Sequence, residues 1–394
     1  MLRALLRSQC LLGFALSFFI LPYAGAQSSI PNYAFLYMRN GFSFIEDPIL
    51  LGDGRAEDAT VSAAPEPVSL VSRQPTSDEA RLFSEVAALY PRSRAQAIAF
   101  LDENGVVLET YRNDYLRFTK LVSMSMSKSI LAVATGAALC EGRLSMDTKA
   151  SDLIPRLKGT DLGEAAVGHL LTMTSGTWEG NHDSSIIDDR QRGELSAGKI
   201  GLLDILATEK VSSAVNPIFS SKRRPGQVFS YRSTDPLVLA HMIERATGET
   251  YHEILRRTIL HPAGVADTVI VGRDYFGYPR ADGVLRMLLQ DWMRVALWIR
   301  GKYQSNDCLG GFLREATTKR VDNRPRSNYP QAFKGYGYYF GVDSDWSRDT
   351  FWAVGFGGQR IGWSRSSTKI LVTFGNSDEH SEALERIYER WLRM

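Results

Sequence analysis

The chain is poor in cysteine, in net charge and in long apolar runs. Three cysteines in 394 residues are too few for a disulfide-dense scaffold. A formal charge of +2 gives no field for a polyanion, so nucleic acid is not an expected partner. The short Lys222-Arg223-Arg224 run reads as a solvated loop. Six histidines are scattered without His-Glu-x-x-His or paired-ligand spacing, so no metal site is expected. Internal repeats and low-complexity tracts are absent too. The most apolar stretch runs from Cys10 to Leu21. It is shorter than the ~20 residues a membrane-spanning helix needs. Arg3 and Arg7 precede it, and Ala24-Gly25-Ala26 follows. That order predicts an export signal over residues 1–26, a mature start near Gln27, and a periplasmic or secreted protein. No stable membrane span would then remain. Cys140 and Cys308 would stay in the mature chain. Export permits them to pair, but Cys140 ends an apolar helical run and reads as a buried free thiol.

What is present is a chain long enough for a large core. Residues 27–77 show little periodicity and read as an extended N-terminal segment. Asp78 to Tyr90 carries helical spacing through Leu82, Val86, Ala87 and Leu89. Residues 95–101 and 106–111 read as a hairpin around Glu103-Asn104-Gly105. A mostly helical middle follows, with segments at 167–171, 202–209, 236–247, 251–260 and 285–300. Strand character returns at 336–342, 350–356, 360–363 and 369–374. An amphipathic helix over 381–392 closes the chain. Strands at both ends must meet in one antiparallel sheet flanked by the terminal helices, beside a mostly helical second lobe. The fold class is therefore α+β, with one domain over 78–394. Its sheet lobe covers 78–118 and 330–394, and its helical lobe 119–329. A cleft between two such lobes suits a small molecule.

The chemistry concentrates in Ser125-Met126-Ser127-Lys128, at the head of an apolar helical run ending at Cys140. Residues three apart share a helix face, so the Ser125 hydroxyl and the Lys128 amine lie side by side. A desolvated lysine can take the proton of a serine hydroxyl. At a helix start the Ser125 N–H has no helical partner and can donate to an oxyanion. The motif thus offers a nucleophile, a base and half of an oxyanion hole. A plain reading competes with it, in which Ser125 caps the helix and Lys128 is solvated.

Three further strings bear on that choice. They are His169-Leu170-Leu171-Thr172-Met173-Thr174-Ser175-Gly176, then Pro225-Gly226-Gln227-Val228-Phe229-Ser230-Tyr231-Arg232-Ser233, then Gly355-Phe356-Gly357-Gly358-Gln359. With Ser125-x-x-Lys128, this order resembles the serine β-lactamase and penicillin-binding-protein superfamily. It is most similar to class C-like members: family VIII esterases, D-alanyl-D-alanine carboxypeptidases and 6-aminohexanoate-dimer hydrolases. The resemblance spans roughly residues 90–390. It implies the two-lobed β-lactamase fold and a serine hydrolase that cleaves a small ester or amide through an acyl-enzyme on Ser125, a mechanism that calls for no cofactor. Tyr231-Arg232-Ser233 matches the family's second motif. Tyr231 would relay a proton with Lys128 as its partner, the three groups titrating as one unit. Ser233 would bond to substrate or to Lys128.

The third motif departs from the family's usual Lys-Thr-Gly or His-x-Gly. The stretch matched to it is Phe356-Gly357-Gly358, read as lying on a strand that faces the nucleophile and lacking a cation. That disfavours a substrate carboxylate, unless Arg232 or Arg360 substitutes. The glycines would let substrate approach the backbone, and an N–H near Gln359 would be the second oxyanion donor. His169 reads as a core histidine. Residues 177–224 read as an insert over the cleft that sets substrate choice. The rival readings are a true β-lactamase or D,D-carboxypeptidase, and an S-x-x-K domain that binds or senses without turnover.

Overall fold

The computed structural model describes residues 58–177, 194, 198–208, 215–216, 221–323, 329–330 and 332–394. The predicted export signal, residues 27–57 and most of the 177–224 insert lie outside the described residues. No helix among the described residues is long and apolar enough to cross a membrane.

The main sheet has eight antiparallel strands. Its first hairpin is β2 (Ala95–Asp102) and β3 (Gly105–Tyr111), as the turn chemistry predicts. The other strands are β9 (Val321–Asp322), β10 (Phe333–Tyr336), β11 (Gly341–Ser344), β12 (Thr350–Gly355), β13 (Gln359–Ser364) and β14 (Ile370–Gly375). Their spatial order is β3-β2-β14-β13-β12-β11-β10-β9. The β2–β14 pairing, with Ala99 opposite Val372, joins the two ends of the domain. Alternating side chains carry rings to both faces, as a pleated strand requires. Helices α1 (Ser77–Ala87) and α6 (Ser381–Leu392) cover one face, where Trp391 sits 5.6 Å from both Phe83 and Phe100. Helix α4 (Leu289–Gln304) covers the other, where the Trp363 indole N–H donates 3.0 Å to the Ala296 carbonyl. The α1 start is fixed by a Thr76–Glu79 capping box.

The second lobe is built on α2 (Met126–Cys140), α3 (Thr234–Thr247) and α5 (Cys308–Ala316). Helix α2 is apolar on nearly every side and buried accordingly. Gly136 lets Phe312 of α5 lie against it, since a β-carbon there would fall 2.3 Å from the ring. This lobe also carries a four-stranded antiparallel sheet that the helical reading missed. Its order is β1 (Ala59–Val61), β7 (Val269–Val271), β8 (Leu285–Met287), β4 (Leu121–Val122). A two-residue ribbon, β5 (Val215–Asn216) and β6 (Ser221–Lys222), stands apart.

Three sequence expectations change. Residues 285–287 are strand, and the helix predicted from 285 begins at Leu289. The single strand predicted over 336–342 is two, split by a turn in which Tyr339 takes φ 62°. Cys140 and Cys308 form a disulfide, not free thiols. The α2–α5 packing brings their Cα atoms to 5.8 Å, within bridging range.

Candidate active site

Four serines alternate along the approach to α2, and three of them are engaged in anchoring. The Ser123 N–H donates 2.8 Å to the Leu285 carbonyl, and its hydroxyl accepts the Leu285 N–H at 3.1 Å. Ser127 Oγ donates 2.8 Å to the Ala281 carbonyl, and Ser129 Oγ donates 2.6 Å to the Tyr339 carbonyl. The fourth, Ser125, accepts a hydrogen bond of 2.8 Å from Lys128 Nζ. Lys128 is only 3% exposed and also donates 2.6 Å to the Asp282 carbonyl. The pair is therefore sequestered from water on one side and held by the 281–285 segment on the other.

The chain reaches Ser125 through a strained residue. Met124 takes φ 44°, in the left-handed region that a non-glycine side chain rarely adopts. The N–H groups of Met126, Ser127 and Lys128 bond back to the carbonyls of Ser123, Met124 and Ser125. Among the described residues, the Ser125 N–H has no backbone acceptor.

The structure brings Tyr231 and Ser233 to the same place. Lys128 Nζ lies 5.2 Å from the centroid of the half-buried Tyr231 ring. Tyr329 and Tyr336 pack on that ring at 5.0 and 6.1 Å. Ser233 is the N-cap residue of α3, and its side chain hydrogen-bonds the Asp282 carboxylate. Burial pushes the Asp282 pKa up. The charges of Arg280 and Lys128 and the bonds from Arg280 and Ser233 outweigh it, holding the carboxyl below its usual range. Asp282 thus meets Lys128 through its carbonyl and Ser233 through its carboxylate. Sequence reasoning missed it, because nothing in residues 281–285 marks a partner of a motif more than a hundred positions earlier.

The third motif needs correction. Phe356, Gly357 and Gly358 do not lie on a strand; they form the β12–β13 turn, and Gln359 opens β13. The segment beside the start of α2 is the end of β12, Ala353-Val354-Gly355. Pairing with β11 extends only to Trp352, which leaves that end of β12 to the start of α2. A β-carbon on Gly355 would fall 2.5 Å from the Ser123 carbonyl oxygen. Glycine there permits the close approach. Gly357 and Gly358, at φ 82° and 91°, serve the turn. The Gly357 N–H donates 3.3 Å to Asp378, and His380 fills the space where a Gly358 side chain would go. Gln359 is 1% exposed; its amide donates to the Phe356 carbonyl and accepts the Gly375 N–H at 2.8 Å. Gln359 therefore clamps the turn to β14. Phe356 is 45% exposed at the tip.

Neither arginine takes the place of the missing cation. Arg232 is 3% exposed and directed inward, to the Ser230 carbonyl at 2.9 Å and Thr177 Oγ1 at 2.8 Å. Arg360 is 4% exposed and held by the Gly355 and Gln359 carbonyls and by Asp378 at 2.8 Å. His169 accepts the Ala166 N–H at 3.2 Å, away from these groups. No cluster that could hold a metal ion occurs among the described residues.

Comparison with known proteins bears on the family and the fold. The Beta-lactamase family model matches residues 95–392. A 6-aminohexanoate-dimer hydrolase homologue from Bacillus anthracis superposes with a TM-score of 0.65 at 17% identity, covering 90% of this chain and 96% of that one. A penicillin-binding protein homologue from Caulobacter crescentus gives 0.59 at 13% identity, over 85% of this chain and 100% of that one. A class C beta-lactamase variant gives 0.58 at 13% identity, over 82% and 100%. No curated protein matches the sequence.

Proposed function

The chain belongs to the beta-lactamase family, and from that premise we propose an exported serine hydrolase that cleaves an ester or simple amide through an acyl-enzyme on Ser125. The observation that carries this reading is the 2.8 Å bond from the buried Lys128 amine to Ser125 Oγ at the start of an apolar helix. Lys128 and Tyr231 move the Ser125 proton and return it to the leaving group. The oxyanion is held by the Ser125 N–H and an N–H at the end of β12, near Phe356. This shifts the second donor from Gln359, whose strand lies on the far side of β12. Water then hydrolyses the acyl-enzyme. No cofactor takes part. The disulfide supports export, because such bonds persist in oxidising compartments.

The β12 segment beside Ser125 supplies no cation, and both nearby arginines are committed elsewhere. A charge-assisted hydrogen bond contributes about 1.5–3 kcal/mol, roughly ten- to a hundredfold in rate when made in the transition state. A substrate carboxylate forgoes that contribution here, while Phe356 offers an apolar face to an uncharged group. Incubation with a fluorophosphonate should place the adduct on Ser125, and kcat/KM for p-nitrophenyl butyrate should exceed that for nitrocefin. An adduct on Ser123, Ser127 or Ser175 would refute the nucleophile. A larger nitrocefin value would return the chain to the β-lactamases, and one acylation without turnover would make it a sensor or binding domain.

A further inference from the structure

The Thr174-Ser175-Gly176 turn has no place in the chemistry above, yet it ends on a buried carboxylate two residues beyond Ser233. Asp235, in the first turn of α3, has no solvent exposure. Ser175 Oγ donates 2.6 Å to its Oδ1, and the Ser175 N–H lies 3.4 Å from its Oδ2. Ser175 Oγ is also 3.0 Å from Thr177 Oγ1, which accepts from Arg232. Arg232 Nε in turn lies 3.9 Å from Asp235. Every member of this ring is 3% exposed or less. Two sequence strings some fifty residues apart are thereby closed into one buried polar network, and the network's other end is the Tyr231-Arg232-Ser233 segment. An uncompensated carboxylate in such a place is costly, and this one is sustained by two donors and one cation.

We propose that Ser175 and Asp235 are a buried positioning pair that fixes Tyr231 and Ser233 against Lys128 and Asp282, so that the Ser175 turn serves the reaction as well as the fold. The proposal rests on the serine hydrolase reading. The pair touches neither substrate nor the reacting atoms; it acts by holding the backbone from 231 to 235 at one height above Ser125. Displacements of about 1 Å at such groups can cost a hundredfold in rate. The groups facing Asp235 are Arg232 from its own segment, Ser175 from the turn, and the buried phenols of Tyr336 and Tyr339 from β10 and the turn after it. Burial raises the Asp235 carboxyl to about 6 against the opposing pull of Arg232 and Ser175. Protonation then turns the acceptor of the Ser175 hydroxyl into a neutral acid and releases Arg232.

The test is the pH dependence of kcat for p-nitrophenyl butyrate in the full-length protein. Wild-type kcat is expected to fall as pH drops through the range in which Asp235, raised to about 6, takes up its proton. Ser175→Ala removes a bond to the charged carboxylate, so the fall moves to higher pH. Asp235→Asn abolishes that inflection and lowers plateau kcat about tenfold or more, with KM within twofold. Circular dichroism and thermal melting establish that each variant is folded. Should Asp235→Asn fail to fold, Ser175→Ala, which deletes a single hydroxyl, decides by the direction of its shift. Folded variants that keep the wild-type profile and kcat within twofold overturn the proposal. Wild-type protein that neither labels on Ser125 nor turns over the ester fails the hydrolase reading instead, a different outcome.

Discussion

Among four closely spaced serines, only Ser125 faces an amine. Ser123, Ser127 and Ser129 spend their hydroxyls on backbone carbonyls of the segments that hold the helix start. This division leaves one of the four hydroxyls for the proposed nucleophile. It also makes Ser125, Lys128 and Tyr231 interdependent. The amine bonds the hydroxyl at 2.8 Å and sits 5.2 Å from the phenol ring, so removing either proton-handling partner strands the other. Lys128→Ala and Tyr231→Phe should each lower kcat by about 10³-fold, and the double variant by little more, because groups acting as a unit are non-additive. Ester turnover under single-turnover and steady-state conditions measures this. Losses that multiply in the double variant would show two independent roles. At this scale the S-x-x-K and Tyr-x-Ser spacing was enough to expect these side chains together, and the structure brings them together. Asp282 and Asp235 were not, because each earns its place only through a partner far away in sequence.

The elements set how close those residues come. Helix α2 was readable from its apolar run, and the β2–β3 hairpin from its Asn-Gly turn. The β12–β13 hairpin was misread because a glycine-rich string marks a turn and a close-approach strand alike. The structure separates the two uses: Gly357 and Gly358 make the turn, and Gly355 makes the approach. Phe356 therefore sits at a hairpin tip and not where a strand cation would be. Adding a single methyl at Gly355 tests this. A β-carbon 2.5 Å from the Ser123 oxygen cannot be accommodated by a side-chain rotation, since that oxygen is backbone and the next atoms, the β-carbons of Gln359 and Met124, are fixed by their own backbones. Gly355→Ala should push β12 from the nucleophile turn and cut kcat/KM at least tenfold, with a stability loss of about 1–3 kcal/mol. Gly357→Ala strains the turn but leaves β12 in place, so its loss of activity should be smaller. Comparing ester kinetics and denaturant midpoints of the two variants distinguishes the approach from the turn; equal losses would mean the whole hairpin acts as one unit.

On the scale of the whole molecule, the two-lobed plan followed from strands at both ends and helices between. The small sheet β1-β7-β8-β4 did not, because strands of two or three residues carry no periodicity to read. The disulfide, permitted by export but passed over for a free thiol, was misread for a related reason. Cys140 ends an apolar helix, which by itself favours a buried thiol, and only the packing of α5 on Gly136 brings Cys308 beside it. The bond spans 168 residues of sequence and ties the C-terminal end of the nucleophile helix to α5. Closing a loop of that length restricts the unfolded chain, an effect of about 2–4 kcal/mol in typical cases. Alkylation of the unfolded protein without reductant should leave the Cys140 and Cys308 peptides unlabelled, and labelling should appear after reduction. The Cys140→Ala/Cys308→Ala variant should melt several degrees lower, as a change of that size implies for a chain of this length. Its ester kcat should change little, because Ser125 lies at the opposite end of α2, anchored by Ser123, Ser127 and the 281–285 segment. A melt unchanged by reduction would mean that α5 holds the helix by packing alone. A collapse of kcat with the fold intact would mean that strain at one end of α2 reaches the nucleophile at the other.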